Sequence, residues 1–319
     1  MIFSKYGVLF LVIFIFFIMS LMKVDFILIR EHFIYMYMFL VICFFVDYFK
    51  EKLFLKAVFI ALFITSVFII YYLFVNSNIH GSRNLLGMNV ERRLLSDNDV
   101  SFSMSGYILG FMPLLIMIIY KKVHKWMLII LYIFFIFYLG KLTIILSLVI
   151  SLFISLILFR MDKKFKLLSL ILYLILILSI PFSISRSNNS IKELLSGRDI
   201  IWNDFLMDIF NSSSIPEFLF GKGRISLLTD VSITYHPHNQ FIYILYVFGA
   251  VGLLIYCILM LYLLYTSMDN FYLLCLSIFI ILVQVSDDFI FFSNGQNIFL
   301  ILSVWIISCK KTNIYERRA

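Results

Sequence analysis

Apolar residues run in long unbroken stretches, and this pattern leaves the chain very few possible folds. A helix needs about 20 residues to cross roughly 30 Å of hydrocarbon. Ten stretches of suitable length lie at 6–22, 27–46, 53–75, 104–120, 126–139, 142–159, 167–182, 240–265, 271–286 and 289–308. Membrane-spanning strands would alternate apolar and polar residues over segments of about 10. These runs do not alternate, which excludes a β-barrel. Composition points the same way: 63% of the 319 residues are hydrophobic and only 14% charged, more apolar surface than one soluble core uses. Leu21 to Asp25 has no small-residue cleavage pattern, so the first run reads as an anchor rather than a signal peptide. The sequence predicts an all-α polytopic membrane protein of about 10 transmembrane helices, forming a single transmembrane domain over 1–319.

The fifth and sixth runs meet at Gly140–Lys141. A lysine buried at the bilayer centre costs about 2.5–3.5 kcal/mol, so a tight turn at the membrane surface is expected there. Basic residues set the orientation. Lys50, Lys52 and Lys56, then Lys121, Lys122 and Lys125, then Arg160, Lys163, Lys164 and Lys166 fall in alternate loops, and the tail adds Lys310, Lys311, Arg317 and Arg318. The positive-inside rule then puts both termini in the cytoplasm. The net charge of +8 reflects this orientation and not a nucleic-acid partner. Cys43, Cys257, Cys275 and Cys309 have no metal-type spacing and read as small apolar filler.

Two long segments, 76–103 and 183–239, face outward in this topology. They carry Arg83, Arg92, Arg93, Arg186, Lys192, Arg198, Lys222 and Arg224 on the side that normally avoids basic residues. An anionic ligand is the obvious reason for such clustering. Within 183–239, Ile191 to Phe210 reads as one amphipathic helix or two short ones. Ile201, Trp202, Phe205, Leu206 and Ile209 recur at helical spacing. Their face suits a helix lying on the membrane interface. Ser196 and Asp199 resemble a capping box that starts the helix at Gly197. Arg198 then sits in the first turn, where free N–H groups and a planar guanidinium together favour a phosphate; contact with a lipid headgroup is the alternative. Gly221-Lys222-Gly223-Arg224 reads as a short flexible basic turn after Pro216, without the length or Ser/Thr of a Walker loop. His236-Pro237-His238-Asn239 precedes the eighth span. Histidine exchanges protons near neutral pH, but it also caps helices, and both roles stay open. No third spaced ligand supports a metal site.

The order of these features is Gly197-Arg198-x-x-x-Trp202, Pro216, Gly221-x-Gly223, His238-Asn239 and Gly249-x-x-Gly252. It resembles the O-antigen polymerase/ligase superfamily, the Wzy_C/WaaL-like membrane glycosyltransferases, over roughly 140–255. The resemblance implies a GT-C-like helical fold with 183–239 as a periplasmic catalytic loop. It implies transfer from an undecaprenyl-diphosphate-linked glycan, without metal or other cofactor, in the bacterial inner membrane. Arg198 would contact the diphosphate, and His238 would activate the acceptor hydroxyl. Lys141 stands where many members have Ser-Arg, keeping the charge and losing the bidentate fork. Phe248 replaces an acidic residue that often precedes the first glycine. Arg224 is a further candidate for the diphosphate, and His236, Asn239, Trp202, Gly221 and Gly223 are candidate supporting residues. The partners implied are lipid-linked donor and acceptor glycans, membrane lipid and a chain-length regulator protein.

Polymerases and ligases share these residues. The chain is short and rich in Phe, Ile and Tyr, which resembles the variable polymerases more. A transporter of lipid-linked sugar would place ionisable residues near the midplane, with internal repeats and broken helices. Spans nearly free of charge, no visible repeat and polar residues gathered in one outer loop point instead to surface chemistry.

Overall fold

The computed structural model describes residues 2–23, 26–49, 51–76, 78–85, 88–94, 99–119, 125–139, 142–184, 198–223, 237, 239–286 and 295–312. Among them, α1 (Ile2–Met22), α2 (Phe26–Phe49) and α3 (Glu51–Asn76) come first, followed by strands β1 (Asn78–Leu85) and β2 (Met88–Leu94). Next are α4 (Asp99–Ile119), α5 (Lys125–Leu139), α6 (Leu142–Phe159) and α7 (Lys163–Ile184). Then come α8 (Arg198–Ser212), α9 (Ile215–Phe220), α10 (Gln240–Ser267), α11 (Phe271–Ser286) and α12 (Gly295–Thr312).

An apolar helix falls on each of the ten predicted spans. Leu28–Val46, Lys163–Ser183 and Gln240–Ser267 are long and apolar enough to cross a membrane by length and composition, and the other apolar helices are shorter. Leu168, Leu172, Ile175 and Leu176 of α7 form an exposed stripe at helical spacing, as do Leu11, Phe14 and Ile18 of α1. Stripes of this kind belong against lipid. The chain is a helical membrane protein.

One element departs from the all-helical expectation. Within the predicted outer segment 76–103, β1 and β2 pair antiparallel, with Arg83 opposite Val90 and a register shift between Ile79 and Ser82. The hairpin pairs its own backbone groups locally.

The helices group into two compact units. One comprises 49–160 and 268–279. Its centre is α4, buried at every position from Tyr107 to Leu115. Gly110 lets α4 approach its neighbours: a Cβ there would lie 2.6 Å from Ile144 and 2.9 Å from Phe279. Ser151 meets the Cys275 sulfur at 3.3 Å.

The other unit comprises 1–48, 161–267 and 280–319, and α10 is its core. From Gln240 to Gly249 every residue is buried, whereas Leu254, Ile258 and Tyr265 further along are exposed. The division coincides with a break. Gly249 has φ 69° and ψ −170° inside the helix, so the predicted continuous span is two helical pieces. The piece from Gly249 to Ser267 is by itself long enough to cross the hydrocarbon, at about 1.5 Å per residue. Buried polar pairs tie the unit together. The Tyr6 and Ser308 hydroxyls lie 2.8 Å apart, and Tyr256 donates to Gln284 Oε1 at 2.6 Å.

Candidate functional site

The segment from Arg198 to Gly223 folds onto the first part of α10, and each of its pieces is held by a different kind of contact. Helix α8 begins at Arg198. One turn later the Trp202 indole N–H donates to the Pro237 carbonyl at 2.6 Å, from a side chain only 1% exposed. Residues four apart share a helix face, so Arg198 lies on the side of α8 that meets Pro237. Phe205 then packs edge-on against Tyr246 of α10, with ring centroids 5.1 Å apart. Near the helix end, Asp208 forms an ion pair with Lys222 at 2.8 Å, and its carbonyl accepts from the same ammonium at 3.0 Å.

This arrangement corrects the membrane-facing assignment of α8. Trp202, Phe205, Leu206 and Ile209 are all buried in protein. Burying four large apolar side chains is worth about 1.5–3 kcal/mol each relative to water. The apolar residues that do remain exposed are Ile200, Met207 and Phe210.

Helix α9 is absent from the sequence reading, although Ser214-Ile215-Pro216-Glu217 spells a capping box. The Ser214 hydroxyl accepts from the Glu217 amide, and the Glu217 carboxylate accepts from the Ser214 amide at 2.8 Å and its hydroxyl at 2.9 Å. These bonds, and then the ammonium groups of Lys222 and Lys23, hold the Glu217 carboxyl below its ordinary pKa.

The turn that follows is packed rather than exposed at its glycines. Gly221 and Gly223 are buried, and their backbone completes the broken helix. At the Gly249 break, the Tyr246 and Val247 carbonyls accept from the amides of Lys222 at 2.8 Å and Gly223 at 3.3 Å. Gly221 has φ 86° and ψ 164°. Like Gly249, it occupies a backbone region that only glycine enters readily. A Cβ on Gly221 would lie 2.2 Å from the Val247 oxygen, and one on Gly249 would lie 2.4 Å from the Leu219 carbonyl. The two glycines of the sequence pattern therefore interlock. Gly252 makes room for the Phe248 side chain, whose Cβ would be 2.3 Å from a Cβ at that position.

Asn239 is the N-cap of α10. Its Oδ1 accepts from the Phe241 and Ile242 amides at 3.0 and 3.1 Å, and its amide donates to the Val285 carbonyl at 2.9 Å. The cap is an asparagine oxygen.

Arg198 is half-buried and makes no ion pair among the described residues. Lys141, Arg224, His236 and His238 lie outside the described residues, as do Ser196 and Gly197 of the first expected cap.

Two further polar groups adjoin the break. The Lys23 ammonium donates to the Gly221 carbonyl. Desolvation lowers the Lys23 pKa, and the Glu217 carboxylate opposes that shift. Deeper, the buried His32 Nδ1 lies 2.8 Å from the Leu28 carbonyl and 3.1 Å from the Ser20 hydroxyl. A carbonyl can only accept, so Nδ1 carries the proton. The ring stands edge-on to Phe248 at 5.3 Å, propping the helix beside the break. A histidine inside an apolar run was the available signal for it.

Among known proteins, no family model, no curated protein and no solved structure matches this chain.

Proposed function

We propose that the chain is a membrane glycosyltransferase of the O-antigen polymerase type, joining undecaprenyl-diphosphate-linked repeat units at the outer face of the bacterial inner membrane. One observation carries the reading: the Trp202–Pro237 hydrogen bond fastens the helix that begins with Arg198 to the tetrapeptide that contains His238. The glycines of the same pattern meet each other at the Gly221–Gly249 junction. Described residues of four sequence motifs, Trp202, Gly221, Asn239 and Gly249 among them, thus lie in one unit.

In this reading the acceptor sugar hydroxyl attacks the anomeric carbon of the donor. The carbon–oxygen bond to diphosphate breaks as the new glycosidic bond forms, and the configuration inverts. His238 takes the hydroxyl proton. Arg198, joined in this proposal by Lys141 and Arg224, neutralises the charge growing on the departing lipid diphosphate. Both termini are cytoplasmic and 183–239 is periplasmic. The ends of α1 and α11 accord with this, because Lys23 and Val285 both bond to the segment that carries the proposed site, while Tyr6 and Ser308 meet at the other end.

The break at Gly249 favours one rival, since transporters use broken helices whose freed carbonyls hold ions. Here the amides of Lys222 and Gly223 occupy the Tyr246 and Val247 carbonyls, which leaves the break a structural joint.

His238→Ala and Arg198→Ala are each expected to abolish polymer while the protein still inserts. The losses should be about 10²–10⁴ for the base and 10²–10³ for the charge partner. Arg198→Lys should rescue poorly for want of the fork. A deletion strain should keep surface lipopolysaccharide bearing a single repeat unit. Lipopolysaccharide without any repeat, alongside long chains accumulating on undecaprenyl diphosphate, would identify the protein as the ligase instead.

A further inference from the structure

Where the end of α1 meets α9, an open notch of about 180 Å³ is lined by Met19, Met22, Lys23, Pro216, Glu217 and Phe220, with Gly221 at its base. Its lining combines an apolar wall with one cation and one anion. Met22 and Phe220 are exposed, continuing an apolar surface that includes Ile215, Phe218 and Phe210.

Both charged groups have hydrogen-bonding capacity that no described residue uses. An ammonium has three protons; Lys23 gives one to the Gly221 carbonyl, and the other two have no acceptor among the described residues. Glu217 receives both of its hydrogen bonds from Ser214 on Oε2, so Oε1 accepts none among the described residues.

We infer that this notch seats a zwitterionic phospholipid whose headgroup carries a primary amine, with its phosphate on Lys23, its ammonium on Glu217 and its first methylenes against Met19, Met22 and Phe220. Charge complementarity selects this occupant. A purely anionic headgroup would meet Lys23 but face the Glu217 carboxylate. A trimethylammonium headgroup has matching charges and no N–H to donate. Neither Arg198 nor His238 contributes, so the inference stands apart from the proposed glycosyl transfer.

The test is native mass spectrometry of the full-length protein released from nanodiscs containing equal parts phosphatidylethanolamine, phosphatidylglycerol and phosphatidylcholine. Wild-type protein should retain phosphatidylethanolamine over each of the others by about tenfold, the scale of one charge-assisted hydrogen bond. Glu217→Gln should erase that preference, whereas Lys23→Gln should lower retention of all three lipids, since all carry the phosphate. Glutamine preserves the capping box, so the Glu217 variant remains informative if Lys23→Gln fails to fold. Stronger retention of phosphatidylglycerol by wild type would make this a simple anion site and overturn the proposal. Equal retention of all three lipids would overturn it as ordinary annular lipid, and so would a preference that survives in the Glu217 variant. Displacement of phosphatidylethanolamine by a polyprenyl diphosphate at equal concentration would likewise assign the notch to another ligand.

Discussion

Helices α8 and α9 follow one another in the same outer segment, with Phe210 and Phe218 in ring contact at 6.0 Å, yet they are stabilised in opposite ways. Helix α8 buries Trp202, Phe205, Leu206 and Ile209, while α9 buries none of its six residues. A six-residue helix has little stability of its own, and without burial it depends on its ends. Ser214 caps the start, and Gly221 closes the finish against the broken backbone of α10. Buried side chains hold one helix; a capping box at one end and a main-chain joint at the other hold the second. The difference matters for the proposed site, because α8 presents Arg198 and α9 fixes the turn that carries Lys222.

The sharpest way to break the main-chain half is to add a methyl group. Gly221→Ala or Gly249→Ala places Cβ within 2.2–2.4 Å of backbone atoms in a glycine-only conformation. Strain of about 1–3 kcal/mol adds to an overlap of about 1–3 kcal/mol, so little folded protein should be recovered by size-exclusion chromatography. Gly223→Ala is the control. Among the described residues its Cβ would meet only the Lys23 side chain, at 3.9 Å, and the cost should stay near the left-handed penalty of about 1–2 kcal/mol. Equal losses at Gly221 and Gly223 would show that conformation, and not the interlock, is what matters.

The side-chain half breaks at Trp202. Trp202→Ala should cost about 3–5 kcal/mol through the cavity it leaves. Trp202→Phe keeps most of the burial but strands the Pro237 carbonyl, for about 1–3 kcal/mol. Thermal unfolding in detergent should rank the two in that order. If α8 instead owed its position to the Asp208–Lys222 pair, Lys222→Met would be the costlier change.

Much of this contrast was legible in the residues, for reasons specific to each element. The spacing of Trp202, Phe205, Leu206 and Ile209 revealed a helix with one apolar face, and α8 has that face. Periodicity cannot say what covers a face, however, and α10 covers this one where lipid was expected. The Gly221-x-Gly223 pattern read as flexibility because glycine permits many conformations. Its close packing comes from Val247 and Gly249, some twenty-six residues away in sequence, through backbone contacts that leave no side-chain signature. The capping box at Ser214 is legible in the residues, but only the short apolar run Phe218-Leu219-Phe220 follows it. The hairpin at β1 and β2 lacks alternating hydrophobicity that would mark it as strand.

Asn239 joins the two halves, because it caps α10 with its oxygen and holds the end of α11 with its amide. Asn239→Ala should cost on the order of 2 kcal/mol, combining a lost cap with a stranded Val285 carbonyl. Asn239→Asp separates the two contributions. It retains the cap acceptor and loses the donor, so its melting temperature should fall between those of wild type and the alanine variant.

The smallest effect is expected on the open face of α9. Ile215 is 78% exposed and contributes no buried surface. Ile215→Ser should therefore move stability by no more than about 0.5 kcal/mol, provided the capping box at Ser214 is intact. The same exchange at Ile209, which is 3% exposed on α8, removes a core side chain and introduces a buried hydroxyl, for about 2–5 kcal/mol. The pair isolates burial from helix propensity, since isoleucine and serine rank close together as helix formers. A large loss at Ile215 in detergent would mean that α9 is packed against protein after all, and that its stability does not rest on its two ends. A small loss at Ile209 would remove the burial argument for α8.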